Sequence, residues 1–99
     1  MSNVRAIIMK PIDNVCTVVA VVEPGSEVVA EIDGNKITTL VSEKIPFGHK
    51  FAIKLIKKGE PVMKYGQVIG LATQDILPGQ YVHVHNIESC RGRGDKNAN

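Results

Sequence analysis

In the run Tyr81-Val82-His83-Val84-His85-Asn86, two histidines stand two residues apart between valines. A strand alternates its side chains between faces, so this spacing predicts Val82 and Val84 in a core and His83 and His85 together on the opposite face. Two imidazoles on one face of a stiff element suit either proton transfer or metal ligation. The third histidine, His49, follows Gly48 in Ile45-Pro46-Phe47-Gly48-His49-Lys50, where glycine permits close approach of backbone to a ligand. Residues 44–64 hold six lysines (Lys44, Lys50, Lys54, Lys57, Lys58, Lys64) against Glu60 alone, a local charge of +5. The first 43 residues, with three basic and six acidic side chains, sum to −3. A field of that kind attracts carboxylates, phosphates or an acidic partner surface. The bland readings stand beside these: a half-exposed histidine pair with a structural role, and a solvated lysine face.

The elements that must hold these residues are short. At 99 residues the chain forms one domain, and its apolar residues are mostly Val and Ile, with only two Phe, two Tyr and no Trp. Such stiff β-branched side chains favour strands. Pro24-Gly25 and Pro78-Gly79 fit the central positions of type II turns, and Asp33-Gly34 a tight hairpin turn between Val28–Ile32 and Lys36–Val41. Further turns are expected at Lys58-Gly59-Glu60-Pro61 and around Gly66, with strands at Val4–Met9, Val15–Val22, Phe51–Ile56, Gln67–Ala72 and Tyr81–Ile87. Three echoes of a glycine turn leading into a valine strand (Pro-Gly-Ser-Glu-Val-Val, Lys-Gly-Glu-Pro-Val-Met, Pro-Gly-Gln-Tyr-Val-His) are too short to define a repeat. Asp13 could cap a short helical turn, although Val15 onward favours strand. Together these predict an all-β sandwich, barrel or clip with at most a short helical turn. Residues 91–99 contain almost nothing apolar and read as a flexible basic tail.

Several classes lack support. No run approaches the roughly 20 apolar residues of a membrane span, and no secretory leader pattern opens the chain, so a cytoplasmic protein without membrane contact is expected. Cys16 and Cys90 read as two reduced thiols, with a Cys16–Cys90 disulfide as the open alternative. The lysine band carries only Phe47 and Phe51 as aromatics, and the rest of the body is neutral to acidic, which argues against nucleic acid. Arg93-Gly94-Asp95 lies in the polar tail and carries no argument. No nucleophile triad, phosphate loop or zinc-finger spacing occurs.

The motifs from Asp13-Asn14-Val15 through Ile45-Pro46-Phe47-Gly48-His49-Lys50-Phe51-Ala52 and Lys64-Tyr65-Gly66 to Val82-His83-Val84-His85-Asn86 resemble the small domain of the altronate dehydratase family. The resemblance covers about residues 10–90 and implies a SAF-type β-clip fold for residues 1–90, of the kind shared with type III antifreeze proteins and sialic acid synthases. In the altronate and galactarate dehydratases such a domain precedes a much larger catalytic region; in sulfolactate sulfo-lyases it is a separate small subunit. The resemblance therefore implies a small subunit or amino-terminal domain of a metal-dependent lyase, inactive alone, that eliminates water or sulfite from a 2-hydroxy acid together with a large catalytic subunit. It implies His83, His85 and His49 as catalytic residues and Lys50, Lys64 and Asn86 as contacts to the anionic substrate. His83 and His85 would also be ligands to a divalent metal (Fe2+ or Mn2+), which would bind in the assembled enzyme and not tightly to the isolated chain. The alternative is a carbohydrate- or protein-binding clip without chemistry.

Overall fold

A computed structural model describes residues 4–8 and 10–89; the expected tail at 91–99 and Cys90 lie outside the described residues. Nine strands follow one another: β1 (Val4–Ile7), β2 (Val15–Val18), β3 (Glu27–Ile32), β4 (Asn35–Leu40), β5 (Lys50–Ala52), β6 (Pro61–Lys64), β7 (Gln67–Ala72), β8 (Tyr81–Val82) and β9 (Ile87–Ser89). They form a six-stranded sheet, ordered β4-β3-β1-β2-β5-β8, and a three-stranded sheet, β6-β7-β9. All pairings are antiparallel except β1 with β3. No helix occurs among the described residues, and so none long and apolar enough to cross a membrane. The all-β expectation holds. Asp13 caps no helix: its buried carboxylate accepts the N–H groups of Lys10, Tyr65 and Gly66 and ties the first loop to the β6–β7 turn.

The echoes seen in the sequence are parts of a repeated structural unit. In each copy a buried aliphatic residue (Val22, Ile45, Ile56, Ile76) is followed three positions later by a glycine at positive φ (Gly25, Gly48, Gly59, Gly79). Three residues beyond the glycine comes another buried apolar residue (Val28, Phe51, Val62, Val82). The glycine occupies the third place of a type II turn closed by the N–H of the next residue, as in Ser26 to Glu23 O, His49 to Pro46 O, Glu60 to Lys57 O and Gln80 to Leu77 O. Units then clasp in pairs. Val22 bridges Ile45 and Ile56 bridges Ile76. Within each pair the hydrogen bonds are reciprocal: Gly25 N to Val41 O with Val41 N to Ser26 O, and Gly48 N to Val18 O with Val18 N to His49 O. The second pair repeats this with Gly59 and Ala72, and with Gly79 and Ala52. The sequence missed the unit because only glycine and an aliphatic class recur, and the copy that carries His49 has Phe47 where two others have proline.

Strand ends differ from expectation for the same reason. Val15–Val22, Phe51–Ile56 and Tyr81–Ile87 read as continuous strands, yet the ladders stop at Val18, Ala52 and Val82. At Val18 and Ala52 the chain turns a corner so that the aliphatic four residues later can form its bridge. Two cores result. One gathers residues such as Val18, Val22, Val41, Ile45 and Phe51. The other gathers Val15, Ala52, Ile56, Val62, Ile76 and Val82. Each fully buried aliphatic contributes about 1.5–3 kcal/mol, so many small side chains replace the missing aromatics. Cys16 belongs to the first core; burial, and secondarily Asp13, pushes its thiol up to about 12, which leaves it inert as a nucleophile.

A candidate anion-binding site at the β5–β8 edge

The third and second residues of the chain's Gly48 and Gly79 units meet where β5 pairs with β8, with Lys50 opposite Val82 and Phe51 opposite Tyr81. Alternation along β5 sends Phe51 into the first core with Tyr81 packed against it, while Lys50 shares the other face with Thr17 and Val82. Just ahead of Lys50, His49 leaves the turn and reaches the Tyr81 hydroxyl, with Nδ1 2.7 Å from Oη. In the Gly59 and Gly79 units the residue at this position folds back on its own turn: Glu60 Oε1 accepts from Lys57 N and Gln80 Oε1 from Leu77 N. The corresponding residue before His49 is Pro46, which has no N–H to offer. His49 is therefore free to face outward.

Around Tyr81 the three histidines converge. The His83 ring stacks on the Tyr81 ring at 5.5 Å with 7° between planes, and His85 lies 5.5 Å from the same ring at 44°. His49 and His83 are 4.9 Å apart, centroid to centroid. The expected register of this segment is corrected here. Val82 is buried, but Val84 is 78% exposed, because β8 ends at Val82 and residues 83–86 form a turn. Asn86 makes that turn. Its side chain is 2% exposed; Oδ1 accepts from His83 N at 3.0 Å and Nδ2 donates to Tyr81 O at 2.8 Å. The N–H groups of Asn86 and Ile87 both donate to His83 O. The histidines thus gather on Tyr81 through a turn, where a straight strand was expected, and Asn86 spends its polar atoms on backbone.

The electrostatics are those of imidazoles set beside lysines that have no ion pair among the described residues. Desolvation lowers the Lys50 ammonium below its ordinary value and the charge of Lys64 lowers it further. His83 is lowered by desolvation first, then by His49, Lys50 and His85, which favours the neutral imidazole near pH 7. Neither lysine is ion-paired among the described residues, and Lys64 lies 5.0 Å over the Tyr65 ring. Tyr65 sits at φ 56°, an uncommon place for a bulky residue, and the two N–H bonds to Asp13 hold the turn that presents Lys64. Glu43 is the nearby carboxylate, and it accepts from Tyr81 N.

Among the described residues no three His, Cys, Asp or Glu side chains come together to hold a metal ion. His83 and His85 offer two donors and Nδ1 of His49 is engaged by Tyr81, so the described residues do not by themselves complete a ligand set for a divalent metal. An open cleft of about 570 Å3 lined by Ala6, Ile7, Ile8, Val29, Glu31, Lys36 and Thr38 is separate from the cluster and carries no imidazole or thiol. Sequence reading passed over Tyr81, the residue all three histidines touch. Its position after Gly79 and opposite Phe51 was the available signal, hidden until the β5–β8 register was known.

A clip of paired glycine-turn units bearing a cluster of imidazoles beside lysine is the class of domain defined by these features. The chain belongs to the altronate/galactarate dehydratase SAF domain family, which it matches over residues 4–90. It is 41% identical over 75 residues to altronate dehydratase of Escherichia coli K12, a match covering 76% of this chain and 14% of that protein. It is 45% identical over 51 residues to (2R)-sulfolactate sulfo-lyase subunit alpha of Chromohalobacter salexigens, covering 52% of this chain and 54% of that one. The corresponding subunit alpha of Paracoccus pantotrophus is 37% identical over 59 residues, covering 60% and 88%. The chain thus spans about half, or far less, of the length of the first two relatives.

Proposed function

We propose that this chain is the SAF domain or small subunit of a lyase that eliminates water or sulfite from a 2-hydroxy acid such as altronate, galactarate or sulfolactate, working with a larger catalytic unit. The observation that carries this reading is the convergence of His49, His83 and His85 on Tyr81, beside the unpaired Lys50, in a chain of this family. β-Elimination beside a carboxylate builds negative charge on its oxygens as the α-proton leaves. Lys50 and Lys64 supply point charges for that anion, and desolvation strengthens the attraction of Lys50. His83, held neutral, and the neighbouring imidazoles can accept or donate a proton at the cluster. What the described residues lack is enclosure: the cluster sits at an open sheet edge, flanked in its turns by the exposed side chains of Phe47 and Val84. A larger unit closing over those side chains would exclude water from the substrate.

The isolated chain is accordingly expected to fold and to turn over none of these acids with Fe2+ or Mn2+ added, while addition of the large unit encoded with it restores activity. A steady-state assay of chain, large unit and mixture checks this. Turnover by the pure chain would overturn the division of labour. Binding of sugars or proteins with no effect of the chain on any elimination would favour a non-catalytic clip module instead. In the assembled enzyme, Lys50→Met and Lys64→Met are each expected to raise KM about three- to tenfold with kcat less affected, because a charge that holds ground state and transition state alike changes KM. Unchanged kinetics in both would reduce the lysines to surface charge.

A further inference from the structure

We infer that Tyr81 is a positioning residue that fixes His49 in the tautomer carrying its proton on Nε2, so that His49 serves as a hydrogen-bond donor to a substrate oxyanion and not as the proton-abstracting base. This deepens the function proposed above and rests on it for the identity of the anion. The argument starts from the 2.7 Å contact between Tyr81 Oη and His49 Nδ1, the hydroxyl's one hydrogen-bond partner among the described residues. A hydroxyl has one proton, and a neutral imidazole has one donor and one acceptor nitrogen. If Oη donates to Nδ1, Nε2–H is left pointing away from Tyr81. If Nδ1–H donates to Oη, the hydroxyl proton has no acceptor within the described residues. Each arrangement leaves one donor proton without an acceptor among the described residues, so donor and acceptor strength decides: the phenol is the better donor and the imidazole nitrogen the better acceptor, which favours Oη donating to Nδ1, and in a histidine the bond made by one nitrogen sets the role of the other.

Rigidity supports the same assignment. The Tyr81 ring cannot swing away from His49, because it packs against the first core on its strand and against the His83 ring stacked at 7°. Tyr81 N is also held by Glu43 Oε2, and Tyr81 O by Asn86 Nδ2. The surrounding charge agrees. His49 and His83 lie 4.9 Å apart with Lys50 close enough to act on His83, so an incoming anion would be attracted to an N–H directed at it. The residue best placed to remove a proton is then His83 or a group of the larger unit.

Two measurements test this, and they fail separately from the functional reading. In 15N NMR spectra of the full chain at pH 7.5, His49 is expected as the Nε2–H tautomer, and Tyr81→Phe, which keeps the ring packing, should convert it to a mixture. A His49 resonance showing Nδ1–H in the wild-type chain would overturn the proposal. In the assembled enzyme, His49→Ala should lower kcat/KM about a hundredfold, as loss of an oxyanion donor does, while His49→Gln, whose amide N–H reaches the Nε2 position, should stay within about tenfold of wild type. Tyr81→Phe should fall between them. If Gln is as inactive as Ala, His49 acts as a base and the proposal is wrong. If the wild-type assembly eliminates neither water nor sulfite from any 2-hydroxy acid, the functional reading fails while the tautomer result still stands on the spectra.

Discussion

Gly79→Ala should destabilise the domain by about 4 kcal/mol or more, and lower its Tm by roughly 15 °C or more, whereas Gly25→Ala at the equivalent turn should cost only about 1–2 kcal/mol. Both glycines have φ near +90°, which an L side chain adopts only with strain. They differ in what a methyl group would meet. At Gly25 nothing lies within 4 Å, but at Gly79 an added Cβ would collide with the Leu40 carbonyl oxygen, which belongs to backbone bonded into the fold and cannot yield cheaply. Leu40 immediately precedes Val41, which clasps Gly25 and Ser26, while Ser42 N donates to Gly79 O. This is one of the places where the two clasped pairs touch, the β5–β8 pairing being another. Thermal denaturation of the two variants checks the contrast, and equal losses would mean that backbone strain alone decides.

The second large effect falls on the turn that carries the histidines. Asn86→Ala removes the partners of His83 N and Tyr81 O from a side chain that is almost wholly buried, and is expected to cost about 2–3 kcal/mol. Unlike a core truncation it should also reduce kcat/KM in the assembled enzyme about tenfold or more, since an imidazole displaced by an ångström loses its alignment. Equilibrium unfolding and kinetics on the same variant separate the two consequences. A loss of stability with wild-type kinetics would show that the 83–86 turn keeps its shape without Asn86.

The turns were the legible part of this fold. Asp33-Gly34 announces a hairpin, and the structure has both residues at positive φ, 52° and 79°. Pro24-Gly25 and Pro78-Gly79 behave as their residue types require. Strand ends were less legible, since Val19 and Val21 have the same strand propensity as Val15 and Val18 but lie on an exposed corner; propensity is blind to a bridge formed with Ile45. The site divided along the same line. His49, His83 and His85 were visible as residue types, and they do gather. The reason given for the pair at 83 and 85, strand alternation, does not hold at Val84, because one buried side chain, Asn86, redirected the backbone. Tyr81 was invisible as a site residue, as its role depends on pairing between segments some thirty residues apart.

The clasped pairs also govern how quickly the chain reaches this form. Val22 must find Ile45 and Ile56 must find Ile76, each some twenty residues further along, and neither pair offers a helix from which ordering could begin. Closing such loops costs entropy before any contact repays it, which places folding in the millisecond-to-second range typical of non-local β topologies. During that interval the valine- and isoleucine-rich segments are unpaired edges. The lysines spread over residues 44–64 then bear on more than a ligand: like charges on neighbouring chains oppose the pairing of this segment with its own copy before its clasps have closed.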